Sequence, residues 1–153
     1  MDNKFTTPKY ADGVSAILRR SGLPIDKVFK ITDGSSPVTM LETSIPPKPD
    51  IRIDNSKTYY VETYLPINSD YKFYVLAHEA AHVFYKHLTD NFDKPLFLRE
   101  YESETWAFEI MKEFNIPISS KINKHARKNV FTCMSTFDRN NNKDIVKWCL
   151  GLN

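Results

Sequence analysis

The pattern of apolar residues predicts that helices make up most of the chain after residue 70. An apolar run without glycine or proline extends over residues 71–88, and its length favours a buried helix over a strand. Asn68, Ser69 or Asp70 should cap this helix, because a short polar side chain can accept a hydrogen bond from the first turn. The next helix is predicted over about residues 96–114 and should be closed by Pro117.

Three further helices follow from the same pattern. Ser119 or Ser120 should cap a helix that continues to about residue 137, since apolar residues recur at helical spacing along one face. That face comprises Ile122, Ala126, Val130, Met134 and Phe137. A short last helix is expected over residues 145–150. Near the start of the chain, a helix should begin at Asp12 or Gly13 and stop at Gly22.

Strands are predicted only between the first helix and residue 64. Residues 28–31 and 38–41 are short apolar segments on either side of a turn. Residues 51–53 and 58–64 alternate β-branched and aromatic residues around a second turn, which predicts a β-hairpin. We therefore expect an α+β fold, mainly helical, with a small antiparallel sheet packed beside the helix of residues 71–88.

Composition and charge narrow the class of protein. The 153 residues are 41% hydrophobic, which suits one domain spanning residues 1–153. A net charge of +2 is too small to indicate a polyanionic partner. The sequence shows neither a signal peptide nor a membrane span, so we expect a cytoplasmic protein without membrane attachment. Cys133 and Cys149 lack C-x-x-C spacing, which predicts neither a disulfide nor a zinc knuckle.

The predicted helix of residues 71–88 carries the motif H-E-x-x-H as His78, Glu79 and His82. Histidines four residues apart share one helix face and can reach a single metal ion. Neutral imidazoles at this spacing suit Zn²⁺, which leaves room for a third protein ligand and a water. Glu79 is placed to take a proton from that water rather than to bind the metal. The pattern is typical of a metal-assisted hydrolase.

A third ligand is expected from the following acidic helix. In one large class of H-E-x-x-H enzymes it is a glutamate, followed four residues later by a residue that supports the ligands. Glu100 fits this pattern with Glu104 at i+4, and both then share a helix face. Glu100 is therefore the first candidate, with Glu104 and then Glu102 as alternatives. A solvated acidic face without metal remains the competing interpretation.

Residues 51–117 resemble the ImmA/IrrE-type metallopeptidases of bacteria, phages and mobile elements. In that family a hairpin precedes an A-H-E-x-x-H helix, and the next helix carries E-x-E-A-N-x-F-A. Residues 100–107 follow the second pattern, with Ser103 for alanine, Glu104 for asparagine and Trp106 for phenylalanine. The Leu-Met-Pro ending usual in the family is missing. The resemblance implies a zincin-like fold and a zinc endopeptidase that cuts or inactivates a transcription regulator.

Other metal sites are less well supported by the sequence. A metzincin would need glycine and histidine where Tyr85 and Leu88 stand. His87 is five residues beyond His82, off the face of a continuous helix, and is predicted to be a surface residue. His125 lies among lysines and arginines, which disfavour metal binding. Residues 138–142 imitate an EF-hand loop but lack its glycine and its bidentate glutamate.

Three functions are consistent with these observations. The first is a zinc-dependent endopeptidase with Glu79 as general base, acting on a partner such as a helix-turn-helix repressor. The edge of the predicted hairpin of residues 51–64 could hold its peptide substrate as an added strand. The second is a zinc-containing regulatory module that switches a partner without proteolysis. The third, nucleic-acid binding through the basic face of residues 121–128, is the weakest, because a solvated helix face explains those charges.

Overall fold

A computed structural model describes residues 4–32, 34–43 and 57–152. Its fold is α+β, with helices predominating, as the sequence predicts. The helices are α1 (Pro8–Ser21), α2 (Asp70–Phe84), α3 (Leu96–Glu113), α4 (Ser120–Thr132), α5 (Thr136–Asn141) and α6 (Lys143–Cys149). The strands are β1 (Val28–Lys30), β2 (Val38–Thr43) and β3 (Lys57–Thr63). Among the described helices, none combines the length and apolarity needed to cross a membrane.

The motif helix α2 lies at the centre of the fold. It begins where the sequence predicts, since the Ser69 hydroxyl accepts a hydrogen bond from the backbone N–H of Lys72. Helices α1 and α3 and strands β2 and β3 all pack against it. A helix that is apolar on almost every face is expected to be buried in this way. Polar side chains on α2 therefore need partners within the protein.

The sheet is mixed, and the prediction of an antiparallel sheet is wrong for one of its strands. Strand β3 is central, pairing antiparallel with β2 and parallel with β1. Alternation of side chains identifies the two faces of a strand but carries no information on its direction. Residues 51–53 of the predicted hairpin lie outside the described residues, and within those residues the antiparallel partner of β3 is β2.

Two helix boundaries differ from the prediction because residues at the helix ends decide them locally. Helix α1 begins at Pro8 instead of Asp12 or Gly13, since proline is favoured in the first turn, where its missing N–H costs nothing. The helix predicted to reach residue 137 divides into α4 and α5. Ser135 interrupts it by forming a reciprocal capping box with Asp138.

Both cysteines are free thiols, in agreement with the sequence prediction. Cys149 is buried and Cys133 is half-buried. Burial raises the pKa of each thiol, which disfavours the reactive thiolate. These side chains therefore have the environment of small packing residues.

Gly13 lies where α1 packs against α2, and this contact leaves no room for a larger side chain. A Cβ atom at this position would lie 2.6 Å from two carbons of the buried Phe73 ring. We expect Gly13→Ala to lower the free energy of unfolding by about 1 kcal/mol, because overpacking costs about 1–3 kcal/mol and exceeds the gain in helix propensity. Urea unfolding measures this change. Asp12→Ala, at an exposed position of the same helix, is the control and should be nearly neutral; equal stabilities for both variants would contradict the packing argument.

Candidate metal centre

Helices α2 and α3 bring together three side chains of the types that ligate metals, His78, His82 and Glu100, and we call them the metal-binding group. His78 Nε2 and His82 Nε2 lie 3.2 Å apart. Glu100 Oε2 lies 3.2 Å from His78 Nε2, and Glu100 Oε1 lies 3.4 Å from His82 Nε2. Because one ligand atom from each residue converges, His78, His82 and Glu100 form a group that could hold a metal ion.

The ligand atoms of a tetrahedral metal site lie at a characteristic distance from one another. Nitrogen and oxygen ligands about 2.0–2.1 Å from a tetrahedral metal lie about 3.3–3.4 Å from one another. The two imidazole nitrogens lie 3.2 Å apart, and each faces a different oxygen of Glu100, at 3.2 Å for His78 and 3.4 Å for His82, so these contacts are close to this value. The side chains of all three residues are largely buried, at 12–14% exposure. Their spacing and chemistry therefore suit a metal ion held by two imidazoles and one carboxylate.

The other two acidic candidates on α3 have different partners. Glu104 Oε1 lies 3.1 Å from Nδ1 of His78, on the side of the ring away from the convergence point. This contact is short, but Nδ1 has no well-directed hydrogen-bond partner. The Tyr74 hydroxyl donates a 2.6 Å hydrogen bond to Glu104 Oε2. Glu102 is turned away toward Lys94 and His87. Glu104 thus lies where it can orient His78, and Glu100 lies where a ligand would.

Asn129 of α4 connects the two buried carboxylates, and sequence reasoning missed it. Its side-chain amide donates to Glu100 Oε2 at 2.8 Å and to Glu104 Oε1 at 3.0 Å. A signal was present, because Asn129 falls seven residues after the buried Ile122, on the otherwise apolar face of its helix. Tyr74 was recognisable in the same way, because its side chain carries a hydroxyl and lies one helical turn before His78 on the same face of α2.

Glu79 lies beside the ligand atoms without joining them. Its Oε1 is 3.9 Å from His78 Nε2. The Thr39 hydroxyl, on β2, lies 2.6 Å from Glu79 Oε2 and 2.8 Å from the Glu79 carbonyl oxygen, so its single proton serves one or both of these acceptors. One carboxylate oxygen is thereby held toward the sheet and the other faces the metal-binding group. No sequence signal predicts Thr39, because the contact arises from packing of the sheet on α2.

Electrostatics differ between the two histidines. Burial, together with the nearby His78, lowers the pKa of His82 to about 3, so this imidazole is neutral at ordinary pH. Burial alone would also lower the pKa of His78, but the carboxylates of Glu104 and Glu100 outweigh it and raise that pKa well above its usual value. Glu79 contributes in the same direction. The cluster therefore favours a positive charge at this point.

The pKa values of Glu79 and Glu100 are shifted in opposite directions. Burial raises the pKa of Glu79 above its usual value, despite the opposing effect of His78 and Thr39. Burial also acts on Glu100, but contacts with the histidines and Asn129 lower its pKa to about 2. Glu79 consequently has the greater proton affinity of the two, while Glu100 remains a carboxylate.

His87 is buried, so the prediction that it is a surface residue is wrong. Its side chain has 0% exposure, and its Nδ1 lies 2.9 Å from Nδ1 of His82. The prediction assumed a continuous helix, whereas α2 ends at Phe84 and Lys86 adopts a positive φ of 54°. This turn lets the backbone N–H of His87 bond to the carbonyl of His82 and folds the ring back against the motif.

The metal-binding group lies in a cleft of about 660 Å³. Val38 and Thr39 of β2 form one wall, and His125 of α4 forms part of the other. His125 is exposed, lies against the rings of Tyr71 and Tyr74, and is outside the ligand group found among the described residues. The cleft is open to solvent and large enough for a short segment of peptide.

Comparison of the chain with protein-family models, with curated proteins and with solved structures finds no match.

Proposed function

We propose that the protein is a zinc-dependent hydrolase of peptide bonds with a zincin-like fold. The observation that carries this proposal is the convergence of His78, His82 and Glu100 at separations of 3.2–3.4 Å, with Glu79 directly beside them. Two imidazoles and one carboxylate are a common ligand set of catalytic zinc. A zinc ion bound there would polarise the scissile carbonyl and acidify a water.

Glu79 acts as the general base. Its Oε2 is fixed by Thr39, and its Oε1 faces the ligand group, where the attacking water approaches. The pKa of Glu79 is raised by burial, and a stronger base accepts a proton more readily at neutral pH. Glu79 takes one proton from the water and afterwards delivers it to the amine that leaves.

In this proposal, an extended peptide substrate binds in the cleft beside β2. The hairpin edge predicted over residues 51–64 cannot be provided by β3, because β3 is paired on both sides. Within the described residues β2 is an edge strand, and its Val38 and Thr39 line the cleft. A peptide added to this edge would satisfy unpaired backbone groups and pass across the metal-binding group.

The substrate we propose is a partner transcription regulator, such as a helix-turn-helix repressor, as the resemblance of residues 51–117 to ImmA/IrrE-type peptidases implies. The test incubates the purified, zinc-loaded protein with the repressor-like product of a neighbouring gene and identifies fragments by mass spectrometry. Cleavage that stops when a chelator removes the metal is expected. Inactivation of the repressor without fragments would instead support the zinc-containing regulatory module.

Thr39 offers a test of how Glu79 is held. We expect Thr39→Val to lower cleavage by about 10- to 100-fold, because a hydrogen bond to a charged group contributes about 1.5–3 kcal/mol. Zinc content, measured by elemental analysis, should not change, since the hydrogen bonds of the Thr39 hydroxyl go to Glu79 and not to a ligand residue. Thr39→Ser keeps the hydroxyl and is the matched control. If the serine and valine variants lose activity equally, the loss reflects packing at β2 and not the hydrogen bond.

A further inference from the structure

A chain of partly buried polar contacts leads away from the metal-binding group on the side of His82. Its Nδ1 lies 2.9 Å from Nδ1 of His87, and Nε2 of His87 lies 3.3 Å from Glu102 Oε1. Lys94 completes the chain, with its ammonium 3.0 and 3.1 Å from the two oxygens of Glu102. We name these four side chains, His82, His87, Glu102 and Lys94, the His87 relay.

Only one arrangement of protons satisfies every contact in the His87 relay when His82 binds a metal through Nε2. The proton of His82 must then be on Nδ1, so His87 has to accept it with an unprotonated Nδ1. The proton of the neutral His87 ring is consequently on Nε2, where it points to the carboxylate of Glu102. Each group donates outward, and the negative charge at the end is balanced by Lys94.

We propose that His87 is a positioning residue that fixes the tautomer and ring orientation of His82 and thereby strengthens metal binding. This inference rests on the proposed zinc site. Histidine ligands commonly donate their second N–H to a carboxylate or carbonyl, and such partners contribute about 10- to 100-fold to metal affinity. Here a second imidazole stands between the ligand and the carboxylate.

Packing alone does not account for a histidine at this position. The His87 side chain has 0% exposure, and burying a polar ring is unfavourable unless its nitrogens have partners. Both nitrogens of His87 have partners: Nδ1 contacts His82, and Nε2 contacts Glu102. An apolar ring of similar size would fill the same space at lower cost, so the polar contacts identify what the histidine contributes.

Ser103 is the competing partner for His82. Its hydroxyl oxygen lies 3.3 Å from Nδ1 of His82, but the hydroxyl proton is donated to the carbonyl of Arg99 at 3.0 Å. The oxygen could therefore accept a longer bond from the same N–H. Ser103→Ala removes this acceptor and leaves His87 in place, which makes it a matched control.

The test measures Zn²⁺ affinity by competition with a chelating dye. We expect His87→Phe, which keeps an aromatic ring and removes both nitrogens, to bind Zn²⁺ about 10- to 100-fold more weakly than the wild type. His87→Asn places an oxygen near the position of Nδ1 and should recover most of the affinity, which a purely structural role would not predict. Ser103→Ala should bind Zn²⁺ nearly as the wild type does.

The outcomes separate this inference from the proposed function. Absence of Zn²⁺ binding by the wild type defeats the proposed function itself. Wild-type affinity in His87→Phe overturns the positioning role alone. Urea unfolding in the presence of chelator shows whether each variant folds. Should His87→Phe not fold, Glu102→Ala removes the acceptor of the His87 ring at a position that is 21% exposed, and unchanged affinity there likewise overturns the role. Nitrogen NMR of the zinc-loaded wild type should find the His87 proton on Nε2; a proton on Nδ1 contradicts the relay.

Discussion

Substitution of Glu79 by glutamine should abolish most of the proposed peptidase activity and leave the metal in place. Glutamine has nearly the same size and still reaches Thr39, and the ligands His78, His82 and Glu100 are unchanged. What is lost is the carboxylate that accepts the proton of the attacking water. General acid–base catalysis contributes about 10²–10⁴-fold, so cleavage of the repressor-like partner should fall by that range. Zinc content and fragment yield are measured on the same preparations.

An exposed glutamate on α3 provides the control for this substitution. Glu109→Gln makes the same chemical change at a residue that is exposed and outside the ligand group, and its activity should match that of the wild type. If Glu79→Gln cleaves the partner at the wild-type rate, Glu79 is not the base. If both Glu79→Gln and the wild type inactivate the partner without cutting it, the peptidase proposal fails and the regulatory module is favoured.

Features that depend on neighbouring residues in the chain were predictable from the sequence. Helix α2 follows from a long apolar run with a capping serine, and the spacing of His78 and His82 follows from the helical repeat. Helix α3, predicted over about residues 96–114 with Pro117 closing it, spans Leu96–Glu113. The i, i+4 spacing of Glu100 and Glu104 favours Glu100 as the third ligand, and the structure brings its carboxylate to the two imidazoles. Local periodicity is sufficient for such features because it fixes which side chains share a helix face.

Features that depend on how elements pack were not predictable in the same way. Thr39 reaches Glu79 only because β2 lies against α2, a contact between residues 40 positions apart in the chain. His87 reaches His82 because the helix ends and the chain reverses at Lys86, which the apolar run did not reveal. The strand directions in the sheet belong to the same class, since side-chain alternation is identical in parallel and antiparallel strands.

Hydrogen-bond donors around the metal-binding group explain how acidic side chains can be buried on helices α2 and α3. Glu79, Glu100 and Glu104 are three buried or nearly buried acids beside the two histidines. Leaving such groups unpaired inside a protein is unfavourable by several kcal/mol. Tyr74, Asn129 and Thr39 each donate a hydrogen bond to one or two of these carboxylates. A divalent cation at the convergence point would neutralise much of the remaining negative charge, which is why metal binding and stability should be linked.

The second large effect we expect concerns the metal ligands. Purified wild-type protein should hold close to one Zn²⁺ per chain, and His78→Ala or His82→Ala should hold almost none, because two protein ligands cannot replace a set of three. Glu100→Ala should lose zinc more completely than Glu104→Ala, since Glu100 contributes an atom to the convergence point and Glu104 contacts only the far side of the His78 ring. Removal of such a supporting contact weakens metal binding by about 10- to 100-fold.

Elemental analysis at several free zinc concentrations distinguishes these variants, and thermal unfolding gives an independent measurement. A metal that binds only the folded state stabilises it by about 4 kcal/mol at a thousandfold excess over Kd, so zinc should raise the Tm of the wild type and of Glu104→Ala but not of His78→Ala. Full zinc content in Glu100→Ala together with its loss in Glu104→Ala would reassign the third ligand. Zinc retained in His78→Ala would show that the metal binds elsewhere, because the motif histidine is required by every arrangement considered for this site.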